Sequence, residues 1–352
     1  MNSDANVQGA LLCPVLFSDP IEIRLAHGGG GRMSQALLER VILPRLGGEA
    51  AALHDAAVLP ATAGRIALAT DAFVVQPLFF PGGDIGSLAV FGTVNDLLMA
   101  GAQPLALTLS LILEEGLAIA LLERVLDSVQ GAALRCGVQV VAGDTKVVGR
   151  GQADGLYLAM TGLGTVAPDR NLHPRQVRIG DRILLSGDLG RHGLAVLNAR
   201  ENLGFETDFI SDSAPLIEPV EALLDAVGGE GVHVLRDVTR GGLAAVLHEI
   251  ARAAGLAFHI TETAVPVEPP VRAACELLGI DPLQLACEGR FIAIVPPEQE
   301  SAALRALRTC ALGAGAVTIG QVTQGEGVWL ESPLGFSRPL EWGSGELLPR
   351  IC

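Results

Sequence analysis

Val138-Gln139-Val140-Val141-Ala142-Gly143-Asp144-Thr145-Lys146-Val147-Val148 is the stretch whose reading sets the fold class. Its first five residues form a short apolar run rich in β-branched valine, the pattern of a buried strand. That strand is expected to stop at Gly143, with a carboxylate and an amine in the turn beyond it. Upstream lies a helical stretch over 118–136, and before it a long β-like run over 103–113 that ends at Glu114-Glu115-Gly116. Earlier still, Pro81-Gly82-Gly83-Asp84 opens a helix over 85–99, with Asp84 placed as its cap. Segments 54–59 and 66–71 read as strands, and 155–166 as the strand that closes this half. Strands interleaved with helices in this order predict an α/β sandwich with the helices on one face.

A Pro- and Arg-rich joint at 167–178 marks the domain boundary. Beyond it, strands are expected at 181–185, 232–235, 258–260, 291–295 and 317–322. The chain therefore divides into a loose extension (1–22), a first α/β domain (23–168), a second α/β domain (169–340) and a flexible arm (341–352). The arm reads as too polar and glycine-rich to pack. It ends in Pro349-Arg350-Ile351-Cys352, a free thiol on a tether.

At 352 residues the chain is long for one core, which agrees with two domains. Apolar residues make up 49% and aromatic ones 4%, so the core must be aliphatic. A net charge of −15 argues against nucleic acid or an anionic membrane as partner. No apolar window approaches the about 20 residues needed to cross a bilayer, and residues 1–20 do not read as a secretory signal. The six cysteines form no CxxC pair and no zinc-like spacing, which fits reduced thiols in a cytoplasmic enzyme.

Several positions carry chemistry. Of 24 basic residues, Lys146 is the single lysine, a compact titratable charge where arginine serves elsewhere. His27-Gly28-Gly29-Gly30-Gly31 precedes a helix over 33–43. Such a loop suits a phosphate, a mobile lid or a plain hinge. Asn95 and Asp96 interrupt an otherwise apolar helix, and a buried Asp needs a partner or a metal. Asp188-x-x-Arg191-x-Gly193 recurs as Asp237-x-x-Arg240-x-Gly242, two strand–turn–helix units that either face a ligand or repeat a packing device. Glu288 stands in a charged loop before a strand, and Gly289 after it signals a close approach. Asp55, Asp71, Asp96 and Asp144 together make an oxygen-rich, His-poor set of the kind that suits Mg²⁺ and nucleotide phosphates. There is no Walker loop.

The segments 27–31, 70–86, Asn95-Asp96, 112–116, Gly143–Val148, 237–242 and the terminal Pro-Arg-Ile-Cys resemble the HypE family of hydrogenase maturation factors. That family belongs to the superfamily of aminoimidazole ribonucleotide synthetase and selenophosphate synthetase, whose other members lack the cysteine tail. The resemblance implies the synthetase-like α/β fold, ATP and Mg²⁺, a homodimer, and HypF and the HypC–HypD complex as partners. The implied reaction is dehydration of an S-carbamoyl group on Cys352 to a thiocyanate, which supplies cyanide to iron. By the same resemblance Asp55, Asp71, Asp96 and Asp144 are the Mg·ATP carboxylates. Gly28, Gly29, Gly30, Asn95, Gly143 and Thr145 line the nucleotide, and Lys146, Glu288 and Asp96 act with Cys352 in the chemistry. His54 departs from the family pattern, where a second acid precedes Asp55. Two other functions remain open: a relative that phosphorylates a free amide or selenide, whose activity would survive loss of 341–352, and a non-catalytic carrier, which would turn over no ATP.

Overall fold

The computed structural model describes residues 21–29, 31–46, 57, 59–60, 64–205, 208–343 and 350–352. The first half holds a four-stranded sheet in the order β1-β6-β4-β5, where β1 is Arg65–Phe73, β4 Ala102–Glu114, β5 Val140–Val148 and β6 Leu156–Val166. A small ribbon of β2 (Phe79–Phe80) and β3 (Gly83–Asp84) sits beside it. β1 and β4 both run antiparallel to β6, whereas β5 runs parallel to β4 at the edge. The alternation along β6 shows why it forms: Leu156, Leu158 and Met160 are buried, while Tyr157, Ala159 and Thr161 between them are half-exposed.

Among the described residues, helices cover one face of this sheet only. An irregular run comes first, α1 (Arg32–Leu37) and α2 (Leu43–Leu46) joined by a π-helical turn. α3 (Ile85–Met99) follows, and then α4 (Ile119–Arg135), which buries a single apolar stripe. α3 is different, since only Ser87 and Asp96 escape full burial. Its start is fixed by Asp84, which accepts from the Gly86 and Ser87 N–H groups at 2.8 and 3.1 Å.

In the second half seven strands order as β13-β12-β9-β11-β7-β10-β8. Along the chain these are β7 (Arg182–Leu185), β8 (Val234–Asp237), β9 (Ala257–Thr261), β10 (Phe291–Val295), β11 (Val317–Thr323), β12 (Val328–Glu331) and β13 (Ser337–Pro339). The helices here are α5 (Arg191–Glu201), α6 (Ile217–Val227), α7 (Gly242–Ala254), α8 (Pro269–Leu278) and α9 (Glu300–Thr309). α7 and α9 lie on the sheet, and α6 packs on α9. One apolar core runs through both halves, joining α3 and β4 to Leu216, Val220, Phe291 and Ile351. α3 is its axis, in contact with β1, β4 and β6 on one side and with β8 and α6 on the other.

Apart from 54–59, the strands and helices expected from the sequence are present, with one correction. Gly143 does not end the strand: β5 continues to Val148, paired residue by residue with β4. Gly143 is needed for a different reason. A Cβ there would stand 2.5 Å from the Leu109 carbonyl oxygen, so glycine lets the two strands close. The expected strand at 54–59 falls almost wholly outside the described residues.

Candidate active site

The last three residues lie across the cleft between the halves and are packed there. The Val74 and Gln76 N–H groups donate to the Cys352 and Arg350 carbonyls at 3.0 and 3.3 Å, an antiparallel ladder that adds the tail to the chain leaving β1. Arg350 Nε donates back to the Val74 carbonyl at 2.9 Å, and its guanidinium pairs with Asp154 and lies 5.9 Å over the Tyr157 ring. Ile351 is buried, and its carbonyl accepts from His192 Nε2 at 2.9 Å. Composition made 341–352 read as unable to pack; its end docks through buried Ile351 together with Arg350 and the backbone ladder.

This docking sets Cys352 beside a cluster of acids. Asp71 is on the helix-facing side of β1 and Asp96 on α3. Asp237 ends β8, Arg240 precedes α7, and Glu288 precedes β10. Because α3 touches both β1 and β8, Asp96 meets Asp71 and Asp237 together. Burial, followed by the nearby Asp237 and Asp71 carboxylates, pushes Asp96 up to about 8. Burial likewise raises Asp237 to about 6. Glu288 is raised well above the usual carboxylate range, first by burial and then by Asp237 and Asp212. The Cys352 thiol is pushed up to about 11 by burial and by Glu288, against the hydrogen bond and charge of Arg240.

Buried polar atoms stand open here. Glu288 Oε1 and Asp212 Oδ2 have no hydrogen-bond partner, while Asp212 Oδ1 accepts from the Glu288 N–H at 3.2 Å. Gly289 is the close approach its position signalled. A Cβ on it would meet the Asp212 carbonyl oxygen at 1.9 Å, so only glycine admits the loop carrying Asp212. The donors are oxygens alone, which suits Mg²⁺. Asp71, Asp96 and Asp237 stand close enough to influence one another's protonation. Among the described residues no group of three or more His, Cys, Asp or Glu has the arrangement of a metal site.

The remaining candidate residues go elsewhere. The register Asp71↔Met160↔Leu109↔Gly143 crosses the whole sheet, so Asp71 and Gly143 are three strand spacings, about 14 Å, apart. Facing residues share a side, and therefore Asp144 and Lys146, one and three places beyond Gly143, point to the open face of the sheet. Lys146 pairs there with Asp144 at 2.8 Å, and that contact holds the Asp144 carboxyl below its usual range. Within one chain Asp144 and Lys146 thus do not join Asp71 and Asp96. Thr145 shares the inward side with Gly143, and its N–H donates to Asp144 Oδ1 at 2.8 Å. Gly28 packs on β5, where a Cβ would come 3.0 Å from Val147; Gly29 follows it at the end of the same turn. Asn95 serves the fold: Nδ2 donates to the Ala214 carbonyl at 3.1 Å and Oδ1 accepts from the Leu216 N–H at 2.9 Å. Asp55, His54 and Gly30 lie outside the described residues.

Known proteins resemble this chain along nearly its whole length. The AIR synthase related protein N-terminal domain matches residues 53–166, and the C-terminal domain matches 178–331. Carbamoyl dehydratase HypE of Bradyrhizobium diazoefficiens is 48% identical over 94% of this chain and 96% of its own. The HypE of Escherichia coli is 41% identical over 94% and 99%. A crystal structure of hydrogenase maturation protein HypE in complex with ATP superposes with a TM-score of 0.87 at 47% identity, covering 93% of this chain and 99% of that one. The HypE–HypF complex gives 0.78 at 43%, covering 88% and 100%. The chain belongs to the HypE family.

Within this HypE-family chain, four residues of the cleft escaped the sequence reading as site residues. Asp237 and Arg240 were visible inside the 237–242 motif, as part of a duplicated unit that either faces a ligand or repeats a packing device. His192 was visible only as part of the duplicated unit. Asp212 sits in Ser211-Asp212-Ser213, a polar stretch without period, and carries no sequence signal.

Proposed function

We propose that this chain is an ATP-dependent carbamoyl dehydratase acting on its own terminal Cys352. The observation that carries the proposal is the docked tail, which puts the sulfur against Arg240 and Glu288 in a cleft lined by Asp71, Asp96 and Asp237. Its relatives' activity and the ATP complex of one of them support it.

With a carbamoyl group on the sulfur, the amide oxygen is a poor leaving group until it is phosphorylated. The carbamoyl oxygen takes the γ-phosphoryl group of ATP as the bond to ADP breaks, and the nitrogen gives up a proton. The C–O bond then breaks with departure of phosphate, the second N–H proton is lost, and S–C≡N remains. Glu288, with an unpartnered oxygen beside Cys352, is the proton acceptor. Arg240 stabilises negative charge on the phosphorylated oxygen. Asp71, Asp96 and Asp237 would hold Mg²⁺, whose charge relieves their mutual repulsion and screens the phosphates. The tether makes the encounter intramolecular.

In this proposal Gly28, Gly29, Gly143, Asp144, Thr145 and Lys146 form a nucleotide edge along β5. The open face of the sheet exposes Ile66 and Leu68 by 67% and 71%, and we assign that face to a homodimer contact. Such a contact sets Asp144 and Lys146 at the subunit boundary. HypF loads the thiol, a role supported by the HypE–HypF complex of relatives, and the HypC–HypD complex receives the cyanide. Intact-mass spectrometry tests the reaction: the carbamoylated protein should lose one water only when ATP is added. Cys352→Ala should keep ATP binding and take up no carbamoyl group; thiocyanate formation by that variant would overturn the proposal.

A further inference from the structure

The tail is held by backbone ladder bonds, by Arg350 at the cleft edge, and by one wholly buried side chain, His192. A carbonyl can only accept, so His192 Nε2 carries the proton and donates to Ile351. Nδ1 is then an acceptor, and Ser211 Oγ donates to it at 2.8 Å. The Ser213 N–H in turn donates to Ser211 Oγ at 3.0 Å, which aims the hydroxyl and fixes the tautomer. Phe80 packs edge-on against the ring at 5.4 Å. The loop that sets this tautomer also carries Asp212, bonded to the Glu288 N–H, and Ala214 and Leu216, bonded to Asn95. The group that grips the tail and the acid that faces it therefore hang from one loop.

We propose that His192 is a positioning residue, a latch that holds Ile351 so that the group on Cys352 meets Glu288 and Arg240, and whose release exposes the thiol for loading. This rests on the dehydratase proposal. Docked, the thiol is half-buried against Glu288 and Arg240, so an electrophile reaches it less readily than on a released tail. Loading and dehydration thus require different tail states, and the His192–Ile351 bond sets the balance between them. Burial favours the neutral imidazole, which leaves Nδ1 free to accept from Ser211.

The test uses the full-length protein and reads alkylation of Cys352 by iodoacetamide in the C-terminal peptide. His192→Ala should raise that rate about tenfold, equivalent to about 1.4 kcal/mol of docking free energy, and slow water loss from the carbamoylated protein by a similar factor. His192→Gln, whose amide N–H can still donate to the Ile351 carbonyl, should restore protection, which a merely space-filling role would not. If His192→Ala does not fold, Ser211→Ala removes the tautomer-setting donor and should shift both rates in the same directions by a few-fold. Parental alkylation in a folded His192→Ala or Ser211→Ala protein overturns the latch, as does a Gln variant that behaves like Ala. Alkylation that rises as stated, while the parental protein itself loses no water, supports the latch and overturns the dehydratase proposal.

Discussion

Replacing Asn95 with alanine tests how α3 and the active-site loop are joined. The side chain is 2% exposed and bonds to two backbone groups, the Ala214 carbonyl and the Leu216 N–H, which lie in residues 7% and 1% exposed. Asn95→Ala leaves both unpaired in a site closed to water. Each orphaned group costs about 1–3 kcal/mol, so the expected loss is about 2–6 kcal/mol of unfolding free energy. Urea unfolding should show a lower midpoint at unchanged slope. Because the same loop carries Asp212 to the Glu288 N–H, dehydration should slow as well, even at urea concentrations where the variant is folded. Asn95→Asp keeps the acceptor for Leu216 but sets a carboxylate against the Ala214 carbonyl, and should be no more stable than the alanine variant. A loss under about 1 kcal/mol for Asn95→Ala would refute the reasoning, since water or another donor would then be satisfying both groups.

Glu288→Gln should fold with parental stability or better, because the amide replaces a carboxylate whose charge burial and the neighbouring acids oppose, yet single-turnover dehydration, which needs that carboxylate as the base, should fall about 10²–10⁴-fold. Full activity would remove Glu288 as proton acceptor. If the proposed homodimer forms through the exposed face of β1, Leu68→Asp should sediment as a monomer without a lower unfolding midpoint; a sedimentation coefficient equal to the parental one would dismiss that interface. The pH dependence of Cys352 alkylation carries a definite sign. The docked thiol sits at about 11 against 9.0 for a free one, so docking favours the protonated form. Tail docking is at full strength below about pH 9 and weakens as pH rises from 9.0 toward about 11. His192→Ala should move the alkylation midpoint down toward the free value, and identical profiles would contradict the docked state.

Much of the fold was legible along the chain. The period-two alternation of β6, the capping Asp84 of α3 and the single apolar stripe of α4 are local patterns, and each became the expected element. Gly143 misled because a glycine in an apolar run reads as a stop, whereas its cause was the approach of Leu109 from 34 residues away. Asn95 and Asp96 looked alike, two polar residues on a buried helix. They parted because one faces a loop 119 residues downstream and the other faces Asp71 and Asp237.

By itself the sequence determined the alternation of strands and helices, the family, and the terminal thiol as the candidate reacting group, because these depend on residue order and local period. Only tertiary structure decided which acids share a cleft. Asp71 and Asp144 are equivalent as text, each an acid in an apolar strand. Their faces follow from the register across β6 and β4, which no strand encodes alone. The seat of Cys352 was decided there too, because a docked tail needs partners from β1, α5 and the loop before β10 at once, and those meet only when both halves pack on α3.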